Sequence, residues 1–334
     1  MTSANEPDLV SGSPVLVSVI IPSYNTARYI QETLDSVFAQ TYPHYQVIVV
    51  NDGSPDTPEL ELVLRPYIER ITYIKQENRG LAGARNTGLR AAVGSMVALL
   101  DSDDIWLPDY LAEQVKFLQE HSEFSLVYCN ARLFGDPLFA GKDYMAVCPS
   151  NGEATAAAII SQQCNVYVSV TARRRALLAV GFDESLRSCE DFECWIRFAA
   201  AGYRIGYHRK VLVLCRRHSD SLSNNVLSMA KYKFLAIDKS LSLWPPGSTE
   251  YQLLIQAREA KAADLETFMA KAELRSSNFP AAIRHFKAAN EYYKSRKTAI
   301  VIALLKVAPG LVLAVTKLRS ALLPAYREPD SQRE

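Results

Sequence analysis

Residues 15–21 read VLVSVII, residues 45–50 YQVIVV and residues 96–100 MVALL. Each run is short and apolar at nearly every position, the pattern of a strand covered on both faces. Between the first two, Ile30, Leu34, Val37 and Phe38 recur at i, i+4, i+7 and i+8, one face of a helix that ends before Pro43. Residues 60–68 carry a helical pattern weakened by Pro66, residues 71–74 form a further short strand, and residues 81–93 read as a helix of small side chains. Strands alternating with helices at this spacing predict βαβ units on a doubly wound, mostly parallel sheet.

The chain then becomes less regular. Pro108 opens a helix with Leu111, Val115 and Leu118 inward, residues 126–129, 166–171 and 211–215 are strand-like, and residues 190–201 form a helix closed by Gly202. Residues 135–152 are loop-like, a length that usually marks a binding surface or a mobile segment. From about Ser228 the pattern is helical throughout, over residues 251–269, 271–275 and 279–293. Two short helices joined at 276–280 resemble one helical hairpin of the tetratricopeptide kind; a single copy builds no solenoid, so it is expected to be an appended module.

Residues 299–315 (AIVIALLKVAPGLVLAV) are the most apolar stretch, broken by Lys306, Pro309 and Gly310. A membrane-spanning helix needs roughly 20 apolar residues. Two readings stand: a helix buried against the rest of the chain, or an in-plane membrane anchor over residues 299–323.

Composition narrows the class. With 334 residues, 49% hydrophobic, the chain can bury a sizeable core, which excludes disorder as its main state. Lys plus Arg total 37 against 36 Asp plus Glu, so no chain-wide basic footprint points to nucleic acid. The six cysteines contain no C-x-x-C pair, and reduced thiols in a cytoplasmic protein are expected. Residues 1–14 lack Lys, Arg and an apolar core, so no export signal is read there.

In an open parallel sheet, ligands bind beyond the C-terminal strand ends. Polar clusters stand there: Pro22, Ser23, Tyr24 and Asn25 after the first strand, Asn51 to Ser54 after the second, and Asp101, Ser102, Asp103 and Asp104 after the fourth. The first cluster has no glycine, which excludes the G-x-G-x-x-G dinucleotide fingerprint. Three carboxylates within four residues repel one another unless a cation neutralises them. Hard oxygen ligands without histidine or cysteine point to Mg²⁺ or Mn²⁺ bound jointly with a diphosphate. Asp52 either holds its turn or accepts an N–H from a nucleobase.

Four segments in order carry a resemblance: residues 17–25 (VSVIIPSYN), 47–54 (VIVVNDGS), 78–104 (NRGLAGARNTGLRAAVGSMVALLDSDD) and 190–223 (EDFECWIRFAAAGYRIGYHRKVLVLCRRHSDSLS). Together they resemble the inverting family 2 glycosyltransferases of the GT-A fold. The resemblance implies that Pro22, Tyr24 and Asn25 line a nucleotide pocket, that Asp52 reads the base, and that Arg85 contacts the base or diphosphate. It implies Asp101 on the ribose side and near the metal, Asp103 as the metal ligand, and Asp191 as catalytic base. Glu190 and Trp195 would support the acceptor, and His218 would reach the diphosphate. The implied partners are a nucleoside-diphosphate sugar, by default a UDP-sugar, and a saccharide or lipid-linked saccharide acceptor. The expected organisation is a disordered tail over 1–14, a GT-A catalytic domain over 15–225 and a helical extension over 226–334. The implied location is the cytoplasm or the cytoplasmic face of a membrane. A sugar nucleotidyltransferase would want a glycine-rich loop with a lysine after the first strand, which residues 22–25 do not provide. A catalytically weak scaffold is opposed by competent residue types at the metal, nucleotide and base positions.

Overall fold

Strand β1 (Val17–Ser23) is buried along its whole length and lies at the heart of an eight-stranded sheet. A computed structural model describes residues 14–322; the tail expected over 1–14 is outside the described residues except for Pro14. The chain divides into two compact units, Met1–Arg217 and His218–Glu334.

In the first unit, β1 is followed by α1 (Ile30–Phe38), β2 (Tyr45–Asp52), α2 (Thr57–Leu64), β3 (Thr72–Gln76), α3 (Gly80–Ala91) and β4 (Met96–Leu99). Then come β5 (Ile105–Trp106), α4 (Tyr110–Glu120), β6 (Phe124–Phe134), α5 (Tyr144–Val147), α6 (Ala156–Ile160), β7 (Val170–Arg173), α7 (Arg174–Val180), α8 (Glu190–Ala200) and β8 (Arg204–Arg216). The sheet order is β3-β2-β1-β4-β7-β6-β8-β5. Strands β1 to β4 are parallel to their neighbours among themselves, as the apolar runs predict. The chain moves outward from β1 to β3 and returns to the other side of β1 with β4, which opens a crevice at their C-terminal ends.

The second half of the sheet departs from a plain βαβ series. Strand β7 runs antiparallel between β4 and β6, and β5 is antiparallel to β8. Strands β6 and β8 extend well past the apolar runs read as 126–129 and 211–215, because polar positions fall within them: Arg132 is exposed in β6, and Arg209 and Lys210 stand at a bulge in β8. Inward faces of α1 (Ile30, Leu34, Val37) and α4 (Leu111, Val115, Leu118) cover one side of the sheet and join its core. The cysteines are all unpaired thiols.

The second unit is helical: α9 (Val226–Ser240), α10 (Thr249–Arg275), α11 (Phe279–Tyr293), α12 (Arg296–Val307) and α13 (Pro309–Leu322). Residues 251–275 form one long helix instead of the short first arm of a hairpin repeat. The apolar stretch 299–315 is split at Ala308 by the following proline, whose ring cannot continue a helix. Side-chain caps start the helices: Ser248 Oγ accepts the Tyr251 N–H at 3.2 Å and Ser295 Oγ the Thr298 N–H at 3.3 Å. Ala270, Leu274, Ala282, Phe286, Ile302, Leu305 and Val312 form the core of this unit. Among the described residues no helix is long and apolar enough to cross a membrane.

Candidate active site

Register brings the strand-end clusters to one level: Ser23 pairs with Asn51 and Ile20 with Leu99. The loops that follow are stitched together by short polar side chains. The Asn25 N–H donates to Ser54 Oγ at 2.7 Å, the Ala27 N–H donates to Asp56 Oδ2 at 2.8 Å, and the Ser54 hydroxyl donates to Asp56 Oδ1. Ser102 Oγ and Thr26 Oγ1 bond at 2.8 Å, joining the acidic loop to the same seam. Asp56 lies beyond the Asn51 to Ser54 cluster and is not singled out by the sequence, although a serine and an aspartate just after a strand are the usual markers of a side-chain-bonded turn. Asn25 takes a left-handed conformation (φ 56°), Tyr24 stands 52% exposed beside it, and Pro22 is buried at the end of β1.

Asp52 is buried, and its Oδ1 accepts from Gln76 Nε2 at 2.6 Å and from the Arg79 N–H at 2.9 Å. One oxygen therefore fixes the turn after β3. Gly53 has φ 64°, and a Cβ there would lie 2.8 Å from the Asn78 backbone nitrogen. A Gly53→Ala substitution is expected to cost about 1–3 kcal/mol and to weaken nucleotide binding; urea unfolding and nucleotide titration of the purified variant check both.

The acidic loop after β4 is held from three sides. Thr33 Oγ1 donates to the carbonyls of Ser102 (3.0 Å) and Asp104 (2.8 Å). The Arg216 N–H donates to Asp104 Oδ1 at 2.8 Å and its Nε to the Asp103 carbonyl at 2.8 Å, while the Tyr167 hydroxyl donates to Asp104 Oδ2. Asp104 is thus a buried structural carboxylate, raised above its ordinary value by burial and by the Asp103 and Asp101 charges. Tyr167 is committed to that carboxylate inside the core.

Asp101 and Asp103 remain partly exposed. Burial and the Asp103 charge push the Asp101 carboxyl up, against the pull of Arg85. Among the described residues no group of three or more His, Cys, Asp or Glu side chains could hold an ion by itself. One or two hard oxygens beside crowded negative charge suit a Mg²⁺ or Mn²⁺ ion that completes its shell with phosphate oxygens, so Asp103, with Asp101 beside it, fits the implied metal.

Arg85 departs from its expected contact with the donor. Its side chain is 1% exposed, with Nη2 donating to Asp101 Oδ1 at 2.8 Å and Nη1 donating to Glu190 Oε1 at 2.5 Å. Burial opposes the guanidinium charge, yet Asp101, Glu190 and Asp191 more than offset it and raise Arg85 above its ordinary value. Burial pushes Glu190 up to about 7, against Arg85. Two carboxyl groups bond one guanidinium and the Asp191 charge acts on it as well, a local excess of acidic groups that a further cation would relieve. The next residue serves the same end: Asn86 donates to the Phe182 carbonyl at 2.8 Å and accepts the Phe182 N–H at 2.9 Å. The ARN segment of α3 thereby anchors the chain that leads into α8.

Asp191 lies in the first turn of α8, half-buried, where its Oδ1 accepts the Phe192 N–H at 2.7 Å. Its charge is felt at Arg85, Asp101 and Glu190, which ties it to the acidic loop. Cys189, for which the sequence suggested no role, enters α8 in a left-handed conformation (φ 57°). Two expected acceptor contacts are corrected here. Glu190 is buried on Arg85, and Trp195 is 1% exposed, edge-on to Phe182 and Phe198, so its ring packs the core. His218 begins the second unit, where its carbonyl accepts from Asn224 Nδ2 at 2.8 Å.

A crevice at the strand ends with an acidic loop and a nearby carboxylate narrows the class, and comparison with known proteins narrows it further. The Glycosyl transferase family 2 profile matches residues 18–155. An uncharacterized glycosyltransferase of Rickettsia prowazekii is 29% identical, over 91% of this chain and 95% of its own. The Escherichia coli WfgD, a UDP-Glc:α-D-GlcNAc-diphosphoundecaprenol β-1,3-glucosyltransferase, is 38% identical over 38% of this chain and 50% of its own. The solved structure of the mannosyltransferase PcManGT from Pyrobaculum calidifontis, in complex with GDP-Man and Mn²⁺, superposes with TM-score 0.58 at 24% identity, covering 90% of this chain and 86% of that one. Residues 18–155 belong to glycosyltransferase family 2, and the first unit has the GT-A fold.

Proposed function

We propose that this glycosyltransferase moves a sugar from a UDP-sugar to a hydroxyl of a saccharide or lipid-linked saccharide acceptor, with inversion, in the synthesis of a polysaccharide or glycolipid. The carrying observation is the buried Arg85, which bonds Asp101 of the acidic loop and Glu190 beside Asp191. Through it the candidate base shares one rigid frame with the donor loops.

In this reading Asp52 meets an N–H of the base through Oδ2, Tyr24 offers its exposed ring to the nucleoside, and Asp101 takes the ribose side. Asp103 would hold Mg²⁺ or Mn²⁺ against the diphosphate, where the ion supplies charge stabilisation as the leaving phosphate becomes more negative. Asp191 accepts the acceptor hydroxyl's proton while that oxygen attacks the anomeric carbon opposite the departing diphosphate, and a single displacement inverts the configuration. WfgD, named for UDP-Glc and a diphosphoundecaprenol-linked acceptor, supports the choice of donor and acceptor.

Thermal unfolding with UDP, GDP, dTDP or CDP, each with and without Mn²⁺, tests the reading. A nucleotide at 100 times its dissociation constant adds about 2.7 kcal/mol of stability. UDP with Mn²⁺ is expected to give the largest shift, and Asp103→Ala or a chelator to remove it. A larger shift with GDP would replace the proposed donor, and a shift unchanged by Asp103→Ala and by chelator would remove the metal.

A further inference from the structure

The helical unit carries a face that its own core does not use. Helices α12 and α13 turn Ile302, Leu305 and Val312 into the core of the unit. Their other side presents Ile300, Leu304, Val307, Leu311 and Val315, which are between 42% and 85% exposed. Ile300, Leu304 and Val307 lie on one face of α12 and Leu311 and Val315 on one face of α13, at three- and four-residue spacing within each helix. Contiguous apolar surface of this kind marks an interaction site, whereas scattered apolar residues do not.

Charge selects the partner. From residue 296 to residue 319 the sequence holds Arg296, Lys297, Lys306, Lys317 and Arg319 and no Asp or Glu. Arg296, Lys297 and Lys306 are exposed on α12 itself. A second copy laid on these apolar faces would set like charges against one another with no carboxylate between them. An anionic lipid surface answers both features: acyl chains receive the apolar faces, and headgroup charges attract the lysines and arginines that flank them. The stretch is too short and too interrupted to span a bilayer.

We infer that α12 and α13 form an in-plane docking surface for an anionic membrane. Flotation of the full chain with phosphatidylcholine vesicles, with and without phosphatidylglycerol, tests this directly and independently of glycosyl transfer. The protein is expected to float with the phosphatidylglycerol vesicles and to be released as salt is raised. Leu304→Glu combined with Val307→Glu is expected to reduce binding by about tenfold or more. Lys297→Glu and Lys306→Glu are each expected to reduce binding to anionic vesicles about fivefold while leaving phosphatidylcholine binding unchanged. All four positions are exposed, so unfolding midpoints and the nucleotide-induced shift should match those of the unaltered protein. Absence of flotation with anionic vesicles, or flotation undiminished in the Leu304→Glu, Val307→Glu variant, overturns the assignment. Self-association that the same pair abolishes, without vesicle binding, assigns the face to a second copy and also overturns it.

Discussion

An Asp191→Asn variant is expected to lose transfer by about a factor of 100 to 10,000 in turnover, the range a general base contributes, while still binding the donor nucleotide. The substitution is conservative in shape. Asp191 Oδ1 accepts the Phe192 N–H, and an asparagine Oδ1 can keep that bond. The neighbouring Arg85, Asp101 and Glu190 lose one negative charge from their surroundings, which does not strain their own contacts. Folding should therefore survive, and the rate loss should report the missing proton acceptor. Initial rates with a competent acceptor, together with the nucleotide-induced thermal shift, separate the two. Full activity in the variant would move the base to another residue; loss of nucleotide binding would mean that Asp191 serves the donor site instead.

Replacing Arg85 by methionine should act on stability first. The guanidinium is the cation between a buried Glu190 and a partly buried Asp101, and removing one partner of a buried ion pair costs about 3–5 kcal/mol. Lysine in its place carries the charge but not the fork, so it can serve one carboxylate and leaves the other unpaired. Adding Glu190→Gln to Arg85→Met removes the stranded charge and should recover part of the loss, a coupling of about 0.5–3 kcal/mol for residues in one network. Urea unfolding of the single and double variants measures this. If Arg85→Met unfolded like the unaltered protein and only UDP affinity fell, Arg85 would be a donor contact after all.

These two residues show where reading the sequence succeeds and where it stops. Asp191 could be placed at the start of a helix from the pattern of residues 190–201 and from its resemblance to a known motif. Arg85 could be recognised as part of the ARN segment, but its partners lie 16 and 105 residues away along the chain. No local pattern encodes which carboxylates a guanidinium will meet. Trp195 shows the same limit from the other side. An aromatic residue one turn beyond a candidate base reads equally as a sugar platform or as core, and only burial between Phe182 and Phe198 decides for core. Asp56 and Thr33 do not stand out in the sequence because short polar side chains near loops are ordinary in composition; what distinguishes them, together with Ser54 and Arg216, is the loop across the crevice that each one bonds.

By itself the sequence determined the parallel half of the sheet, the apolar β1, β2 and β4 with the polar clusters at their ends, and the helical character of the second unit. Hydrophobic periodicity and strand burial are local consequences of side-chain order, so they can be read along the chain. The tertiary structure decided the antiparallel insertion of β7, the use of Asp104 as a buried support beside the partly exposed Asp101 and Asp103, and the joining of the acidic loop to α8 through Arg85. These features depend on which distant segments meet, and that is fixed by the packing of the whole unit and by the demand that every buried charge find a partner.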